Sequence, residues 1–231
     1  MNLKIFGASM LIAGTTIGAG MLGLPLVTGY AGFIPAVFLI LFYWSVFLYT
    51  SFVTLEAVLW SPPDANFMSI AENTIGRFGK IITWIIYLFL LYALTTAYLA
   101  GLNPLVLDFL YCVFNWQPKA WIGYVPLLFL FGFFIYRGTK WVDHANRWMM
   151  CGMLVTFLFI LIFLSPSIDN TLLQHKAWSA LPLSFSMLAV SFGYHIVLPT
   201  IATYLDRDPS ACKKAIWIGS AIPVVMYIVW E

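Results

Sequence analysis

Long apolar blocks alternate with short polar segments along the whole chain, and seven such blocks follow one another. Four blocks reach the ~20 residues that a helix needs to cross the hydrocarbon core, and three are shorter but within reach of a span. Segments of this length can satisfy their backbone polar groups in lipid only as helices. The pattern therefore predicts an all-α membrane protein of about seven transmembrane helices. The predicted spans are residues 5–27, 33–60, 81–100, 121–136, 148–164, 180–204 and 215–230.

The connections between the blocks refine this outline. Only residues 28–32 join the first two spans, so we expect those helices to be antiparallel neighbours. Residues 66–75 carry apolar side chains at roughly helical spacing and predict a short interfacial helix, with an unstructured loop as the alternative. The third block continues past Pro104 as one kinked helix, and a polar inner loop is expected over 137–147. Because no linker divides the chain, we expect a single membrane domain over 1–231.

Composition and charge agree with a membrane location. Charged residues make up 9% of the chain and apolar residues 62%, with a mean hydropathy of +0.93, whereas a soluble domain carries roughly 25% charged residues. If the amino terminus is cytoplasmic, nine basic residues lie on the inner side and only Lys119 and Lys176 on the outer side, a strong positive-inside bias. A cleaved signal peptide over residues 1–23 is a less favoured alternative, because that apolar run is too long. The inner basic residues are Lys4, Arg77, Lys80, Arg137, Lys140, Arg147, Arg207, Lys213 and Lys214.

Two of the spans depart from ordinary lipid-facing helices. In the first, eight of the eleven residues from 13 to 23 are small, and Pro25 follows at once. In the sixth, the run SFGYH at residues 191–195 lies near the middle, with Pro199 one turn later. Both stretches fall near the bilayer midplane and predict that helices 1 and 6 are discontinuous. Small residues four apart also mark tight helix packing without a ligand, and this alternative stays open for the first span.

Two interrupted helices in equivalent positions indicate an inverted repeat with a substrate site between the interruptions. The sixth span follows the first by five helices, an odd number, so the second half is inverted relative to the first. Unpaired N–H groups near Gly18 and Gly20 suit a substrate carboxylate, and freed carbonyls of residues 13–16 suit an ammonium group. Further hydrogen bonds can come from the hydroxyls of Thr15, Thr16 and Ser191.

His195 is the only readily ionisable side chain near the midplane of any predicted span. Because intramembrane ionisable groups are functional by default and histidine titrates near neutral pH, we expect His195 to act in proton coupling or substrate binding. The alternative is a neutral His195 that only satisfies carbonyls freed at the interruption. Glu56 is a weaker proton-coupling candidate, since snorkelling or a structural ion pair explains it more simply.

The sequence contains no metal-ligand spacing, nucleophile–base pair or phosphate-binding loop. We therefore expect neither an enzyme nor a nucleic-acid-binding protein, no metal and no cofactor other than a proton as the coupling ion. The three cysteines lie on different helices or sides, and we expect them to be free thiols.

The motif AGTTIGAGMLGLP at residues 13–25 resembles the opening of the aromatic amino acid permeases, the tyrosine- and tryptophan-specific proton symporters of bacterial inner membranes. Residues 191–195 followed by Pro199 resemble the sixth helix of this family, and residues 213–230 resemble the seventh. The stretch AYLAG at 97–101 is similar to part of the family's third helix. The similarity runs along essentially the whole chain and is strongest to the tyrosine-specific members.

The resemblance implies a LeuT-type inverted-repeat transporter fold that is incomplete, with the first five-helix repeat at 1–165 and the first two helices of the second at 180–231. It implies import of tyrosine, or else tryptophan, with a proton through the bacterial inner membrane. Because members of the family are longer, we expect an incomplete permease and a second chain as the source of the missing carboxy-terminal helices. A non-transporting subunit, an inactive fragment and a serine/threonine permease stay open as alternatives. The expected substrate-binding residues are Thr15, Thr16, Gly18, Gly20, Tyr98, Ser191, Phe192 and Gly193, with His195 and Glu56 for proton coupling.

Overall fold

The computed structural model describes residues 3–21, 23–63, 65–164 and 172–231, and every regular element in this part is helical. Five segments are long and apolar enough to cross a membrane, and two shorter apolar helices cover Leu3–Gly18 and Trp148–Leu164. An all-α membrane protein is therefore confirmed. The α-helices are α1 (Leu3–Gly20), α2 (Leu24–Thr28), α3 (Phe33–Trp60), α4 (Phe67–Ile75), α5 (Arg77–Phe114), α6 (Tyr124–Arg137), α7 (Thr139–Leu164), α8 (Phe185–Ser191), α9 (Leu198–Tyr204) and α10 (Pro209–Trp230). Short 3₁₀ helices cover Ala120–Gly123, Leu172–Gln174, Trp178–Ser184 and Tyr194–Val197.

Helices α4 and α5 form where the sequence predicts them. Asn66 caps α4, since its side chain accepts a hydrogen bond from the Ser69 amide at 3.0 Å and its own amide donates to Ser69 Oγ at 3.0 Å. The loop alternative for this segment is therefore wrong. Helix α5 passes through Pro104 as one element of 38 residues.

The prediction of a polar loop over residues 137–147 is wrong. Gly138 makes the turn between two helices with φ of +90°, a value that favours glycine, and α7 begins at the next residue, Thr139. A helix pairs its own backbone groups in water as well as in lipid, so polar residues do not prevent it from starting early.

Two compact units make up the chain. The first comprises Met1–Ile81 and Ser167–Glu231, and the second comprises Ile82–Pro166. The repeat boundaries predicted at 1–165 and 180–231 concern internal symmetry, which compactness does not test, so they stay a prediction.

In the first unit, α1 packs against α10 along a seam of small residues. A Cβ added at Gly219 of α10 would lie 2.7 Å from the Ser9 carbonyl oxygen and 2.7 Å from Ile12 Cβ, so a larger residue cannot fit without movement. Backbones of membrane helices approach this closely where small residues line the interface. The seam adjoins a cluster of fully buried side chains that includes Ile12, Tyr194, Leu198, Ile201 and Ile216.

Arg207 ties the end of α9 to the end of α3. Its Nη2 donates to the carbonyl oxygens of Val58, Leu59 and Ser61 at 3.1, 2.8 and 2.6 Å. These carbonyls belong to the last turn of α3 and its cap, where backbone donors are scarce. The Val58 carbonyl also accepts from the Ser61 amide at 3.2 Å. The guanidinium therefore satisfies a helix end that would otherwise need water.

The second unit is built from α5 beyond residue 81, α6 and α7, with α6 packed beside α7. Gly123 lies directly against the Asn103 side chain, and an added Cβ would overlap Asn103 Oδ1. The buried side chains described in this unit are few, namely Asn103, Leu127 and Phe157.

Candidate functional site

The glycine-rich stretch of α1 is helical as far as Gly20, and α2 begins at Leu24 with Pro25 in its first turn. The sequence analysis placed the interruption within the small-residue stretch 13–23, and residues 13–20 of that stretch are helical in the structure. The hydroxyls of Thr15 and Thr16 donate to the carbonyls four residues earlier, at 2.8 and 2.9 Å. Each hydroxyl proton is thus engaged within the helix, and only the hydroxyl oxygen is left to accept.

In the sixth predicted span, α8 ends at Ser191 and α9 begins at Leu198. Phe192 and Gly193 follow α8 with ψ of 9° and 35°, and the 3₁₀ helix Tyr194–Val197 leads into α9. The amides of Phe192 and Gly193 donate to Leu188 and Val190 carbonyls at 3.0 and 3.1 Å. The chain therefore changes its helical pairing at the predicted motif while those two amides remain paired.

Four of the predicted substrate-binding residues meet around a buried tyrosine of α10, Tyr227. Its hydroxyl donates to the Thr16 carbonyl oxygen at 2.7 Å. A Cβ added at Gly20 would overlap this hydroxyl and lie 2.7 Å from Ser191 Oγ. The Phe192 ring packs edge-on against the Tyr227 ring, with centroids 5.8 Å apart. We call Thr16, Gly20, Ser191, Phe192 and Tyr227 the tyrosine cluster.

The tyrosine cluster is closed to solvent. Thr16, Ser191 and Phe192 have no exposed surface, and Tyr227 is 1% exposed. Ser191 Oγ donates to the Met187 carbonyl at 2.8 Å, so its oxygen stays available as an acceptor. The cluster thus combines hydroxyl and carbonyl oxygens with two aromatic rings, a combination that fits an ammonium group attached to an aromatic side chain.

The other predicted residues lie apart from this cluster or outside its unit. Thr15 is half-buried on α1, while Gly18 and Gly193 are exposed. Tyr98 belongs to the second unit, on α5, and is 42% exposed. Glu56 is exposed on α3; the two ion pairs that the structure describes are Lys4–Asp206 and Lys80–Glu72.

His195 is half-buried against α3. Its Nε2 lies 2.9 Å from Thr50 Oγ1, and the Phe47 ring meets the imidazole edge-on with centroids 5.5 Å apart. The Tyr194 ring stacks on the imidazole at 5.3 Å, and the Tyr194 hydroxyl donates to Ser51 Oγ at 3.2 Å. The histidine is therefore held by a polar and two aromatic contacts rather than by freed carbonyls.

Sequence reasoning missed two residues that the structure places at these sites, Tyr227 and Thr50. Tyr227 is one of 12 tyrosines, and no spacing or motif distinguishes it from those that line lipid. The only available signal was its position in a span rich in small residues, since a large side chain there must fill a gap between helices. Thr50 carries no signal in the sequence, because serine and threonine are common in membrane helices and usually bond their own backbone.

The family model of the tryptophan/tyrosine permease family matches residues 1–231, the full length of the chain. The chain belongs to this family. Among similar proteins of Haemophilus influenzae, tyrosine-specific transport system 2 is 32% identical and tyrosine-specific transport system 1 is 34% identical, each over 99% of this chain. A tryptophan-specific transport protein of the same organism is 29% identical, also over 99% of this chain. No solved structure matches the chain.

The matched regions cover 57%, 56% and 57% of these three relatives. The chain thus spans a little over half the length of the curated relatives that it matches. Membership identifies a family of permeases, which agrees with the apolar helical architecture. The transported molecule and the driving ion belong to the proposal that follows.

Proposed function

We propose that this chain takes part in the secondary active import of an aromatic amino acid, tyrosine or else tryptophan, by proton symport. The observation that carries the proposal is the tyrosine cluster, in which residues 16 and 20 of one predicted interrupted helix meet residues 191 and 192 of the other. A site between two such helices at membrane depth is the usual arrangement in transporters built from inverted repeats. The membrane is the bacterial inner membrane, and the amino terminus is cytoplasmic.

The proposed fold is the LeuT-type inverted repeat, with helices 1 and 6 discontinuous during transport. In this arrangement residues 1–165 are the first repeat and residues 180–231 begin the second. Since the chain covers 57% of its tyrosine-transporting relative, the proposal includes further helices, supplied by the same polypeptide or by a second chain. Those helices are proposed to complete the second repeat and to pack beside the tyrosine cluster.

The substrate ammonium is proposed to bind carbonyls near Thr16 and Ser191, and the carboxylate to bind amides at Gly18 and Gly20 when that turn opens. An aromatic substrate ring suits the surroundings, because Phe192 and Tyr227 already pair edge-to-face, a favourable arrangement for aromatic rings. The names of the three relatives, two for tyrosine and one for tryptophan, support this class of substrate.

Proton coupling is proposed to use His195, with Glu56 as a secondary candidate. The Thr50 hydroxyl lies 3.0 Å from the Val46 carbonyl and 3.1 Å from the Phe47 carbonyl, and its single proton points to them. Its oxygen is left to accept from His195, so Nε2 carries the hydrogen of the neutral ring. The proton that is exchanged during transport then enters and leaves at Nδ1.

Uptake of radiolabelled tyrosine into bacterial cells that lack their own aromatic permeases tests the proposal. The chain is expressed alone and together with the carboxy-terminal part of a Haemophilus influenzae tyrosine relative, with and without an inward proton gradient. We expect gradient-driven uptake that excess tyrosine or tryptophan suppresses and excess serine does not. Uptake that follows a sodium gradient, that serine suppresses equally, or that is absent in both formats would contradict the proposal.

The role of His195 has a matched control in His175, an exposed histidine whose Nε2 lies 3.3 Å from the Tyr30 carbonyl. We expect His195→Gln to remove the dependence of uptake on the proton gradient, while tyrosine exchange without a gradient persists. His175→Gln is expected to keep the gradient dependence. Equal behaviour of the two variants would assign His195 a purely structural role.

A further inference from the structure

We infer that Tyr227 is a ligand-site residue whose hydroxyl holds the position that the substrate's ammonium group takes when it binds. This inference rests on the proposed function, because it concerns the same site. In this arrangement the Tyr227 hydroxyl closes the site by bonding the Thr16 carbonyl, and an incoming amino acid must displace it.

The geometry places the phenol where a ligand would otherwise bind. Its hydroxyl is the donor to the Thr16 carbonyl oxygen at 2.7 Å. Glycine is the only residue type at position 20 that leaves room for this oxygen, because any Cβ there would overlap it. The missing side chain at Gly20 and the hydroxyl of Tyr227 are therefore complementary, and a small polar group of a ligand would need the same space.

The surroundings of the hydroxyl are those of an ammonium site. Ser191 Oγ lies 2.7 Å from the position that a Cβ at Gly20 would take, and therefore borders the same space as the Tyr227 hydroxyl. The Ser191 proton is engaged by the Met187 carbonyl, so this oxygen faces the space as an acceptor. The Thr16 carbonyl is a second acceptor. Two acceptors, with no cationic side chain among the described residues around them, favour a ligand that brings its own positive charge.

Displacement is energetically feasible because the exchanged bonds differ in strength. A neutral hydroxyl–carbonyl hydrogen bond is replaced by a charge-assisted one from an ammonium group, which is roughly twice as strong. The Tyr227 bond nevertheless subtracts from ligand affinity, since ligand binding has to break it. Removing the hydroxyl therefore removes a competitor and should tighten binding.

A purely structural tether between α10 and α1 would behave differently. Trp44 provides the matched control, because its Nε1 donates to Ser220 Oγ at 3.1 Å and ties α3 to α10 outside the tyrosine cluster. Both Tyr227→Phe and Trp44→Phe remove one interhelical hydrogen bond and keep an aromatic ring. Thermal stability is expected to fall in both variants, so only ligand affinity separates the two roles.

The test is equilibrium binding of radiolabelled tyrosine in lipid nanodiscs, for the wild type, Tyr227→Phe and Trp44→Phe, each alone and together with the carboxy-terminal part of a Haemophilus influenzae tyrosine relative. We expect Tyr227→Phe to bind about fivefold more tightly, the value for a net hydrogen bond of about 1 kcal/mol, and Trp44→Phe to bind like the wild type. Binding by Tyr227→Phe alone would support the inference as well. Unchanged or weaker binding by Tyr227→Phe, beside normal wild-type binding, overturns the inference and leaves the proposed function intact. Binding of no aromatic amino acid by any of the three proteins counts against both.

Discussion

Helices α5 and α10 are both apolar enough to span a membrane, yet they occupy opposite environments within their units. In the most apolar 18-residue stretch of α5 no residue is buried, whereas half of the residues in the corresponding stretch of α10 are buried. Helix α5 is nevertheless the more apolar of the two. The burial of α10 follows its small residues, such as Ala215, Gly219 and Ser220, which let α1 approach. Apolarity thus predicts which segments enter lipid, but it does not predict which of them pack together within a unit.

Glycines give the same contrast between the two units. In the first unit, a Cβ at Gly20 or Gly219 would lie within 3.0 Å of another helix. In the second unit, an added Cβ at Gly101, Gly132 or Gly152 would meet nothing within 4 Å. Glycine therefore marks close helix contact at Gly20 and Gly219 and open space at these three positions of the second unit, where Gly123 is a close contact as well. Substitutions can separate the two kinds of position.

The largest effect is expected for Gly20→Ala against Gly101→Ala. The methyl group at Gly20 collides with the Tyr227 hydroxyl and Ser191 Oγ inside a closed cluster, so we expect a loss of about 3 kcal/mol in unfolding free energy, as for overpacked cores. At Gly101 the methyl group has room, and alanine is the better helix former. Thermal unfolding of both variants in detergent measures the difference. Equal midpoints would show that the tyrosine cluster is loosely packed.

An intermediate effect is expected for Arg207→Ala against Arg137→Ala. Arg207 donates to three carbonyls at the end of α3, and its loss removes this donor from the Leu59 and Ser61 carbonyls at a cost of about 2 kcal/mol. Arg137 in the second unit is exposed and lies over the Phe133 ring at 4.9 Å, a contact of about 0.5 to 1 kcal/mol. Hydrogen exchange at the last turn of α3 provides a local measure. An unprotected α3 end already in the wild type would refute the tether.

The smallest effect is expected at the exposed ion pair of the first unit. Lys4 Nζ lies 2.6 Å from an Asp206 carboxylate oxygen, and the side chains are 52% and 76% exposed. Exposed pairs are screened by salt and contribute little. Asp206→Asn should therefore leave the unfolding midpoint unchanged at physiological salt. Suppose instead that the unfolding midpoint of Asp206→Asn is clearly below that of the wild type and that the gap widens at low salt. Surface charge, and not small-residue packing, would then hold this unit together.

Most of the helices were predictable from the sequence, because lipid removes every alternative for a long apolar segment. The start of α7 was not, since its polar first turns lack the apolar signal while still pairing their own backbone. The site was predictable in part. Thr16, Gly20, Ser191 and Phe192 belong to motifs with unusual composition or family resemblance, and the structure brings these four together.

The sequence by itself determined the membrane class, the family and the two motifs that meet, because each depends on local composition or on residue order. Only the tertiary structure decided which residue fills the space between those motifs. Tyr227 reaches Thr16 from 211 positions along the chain, and Thr50 reaches His195 from 145 positions. Such partners are set by how helices cross and which faces touch, and a one-dimensional pattern of apolar and polar residues does not encode either.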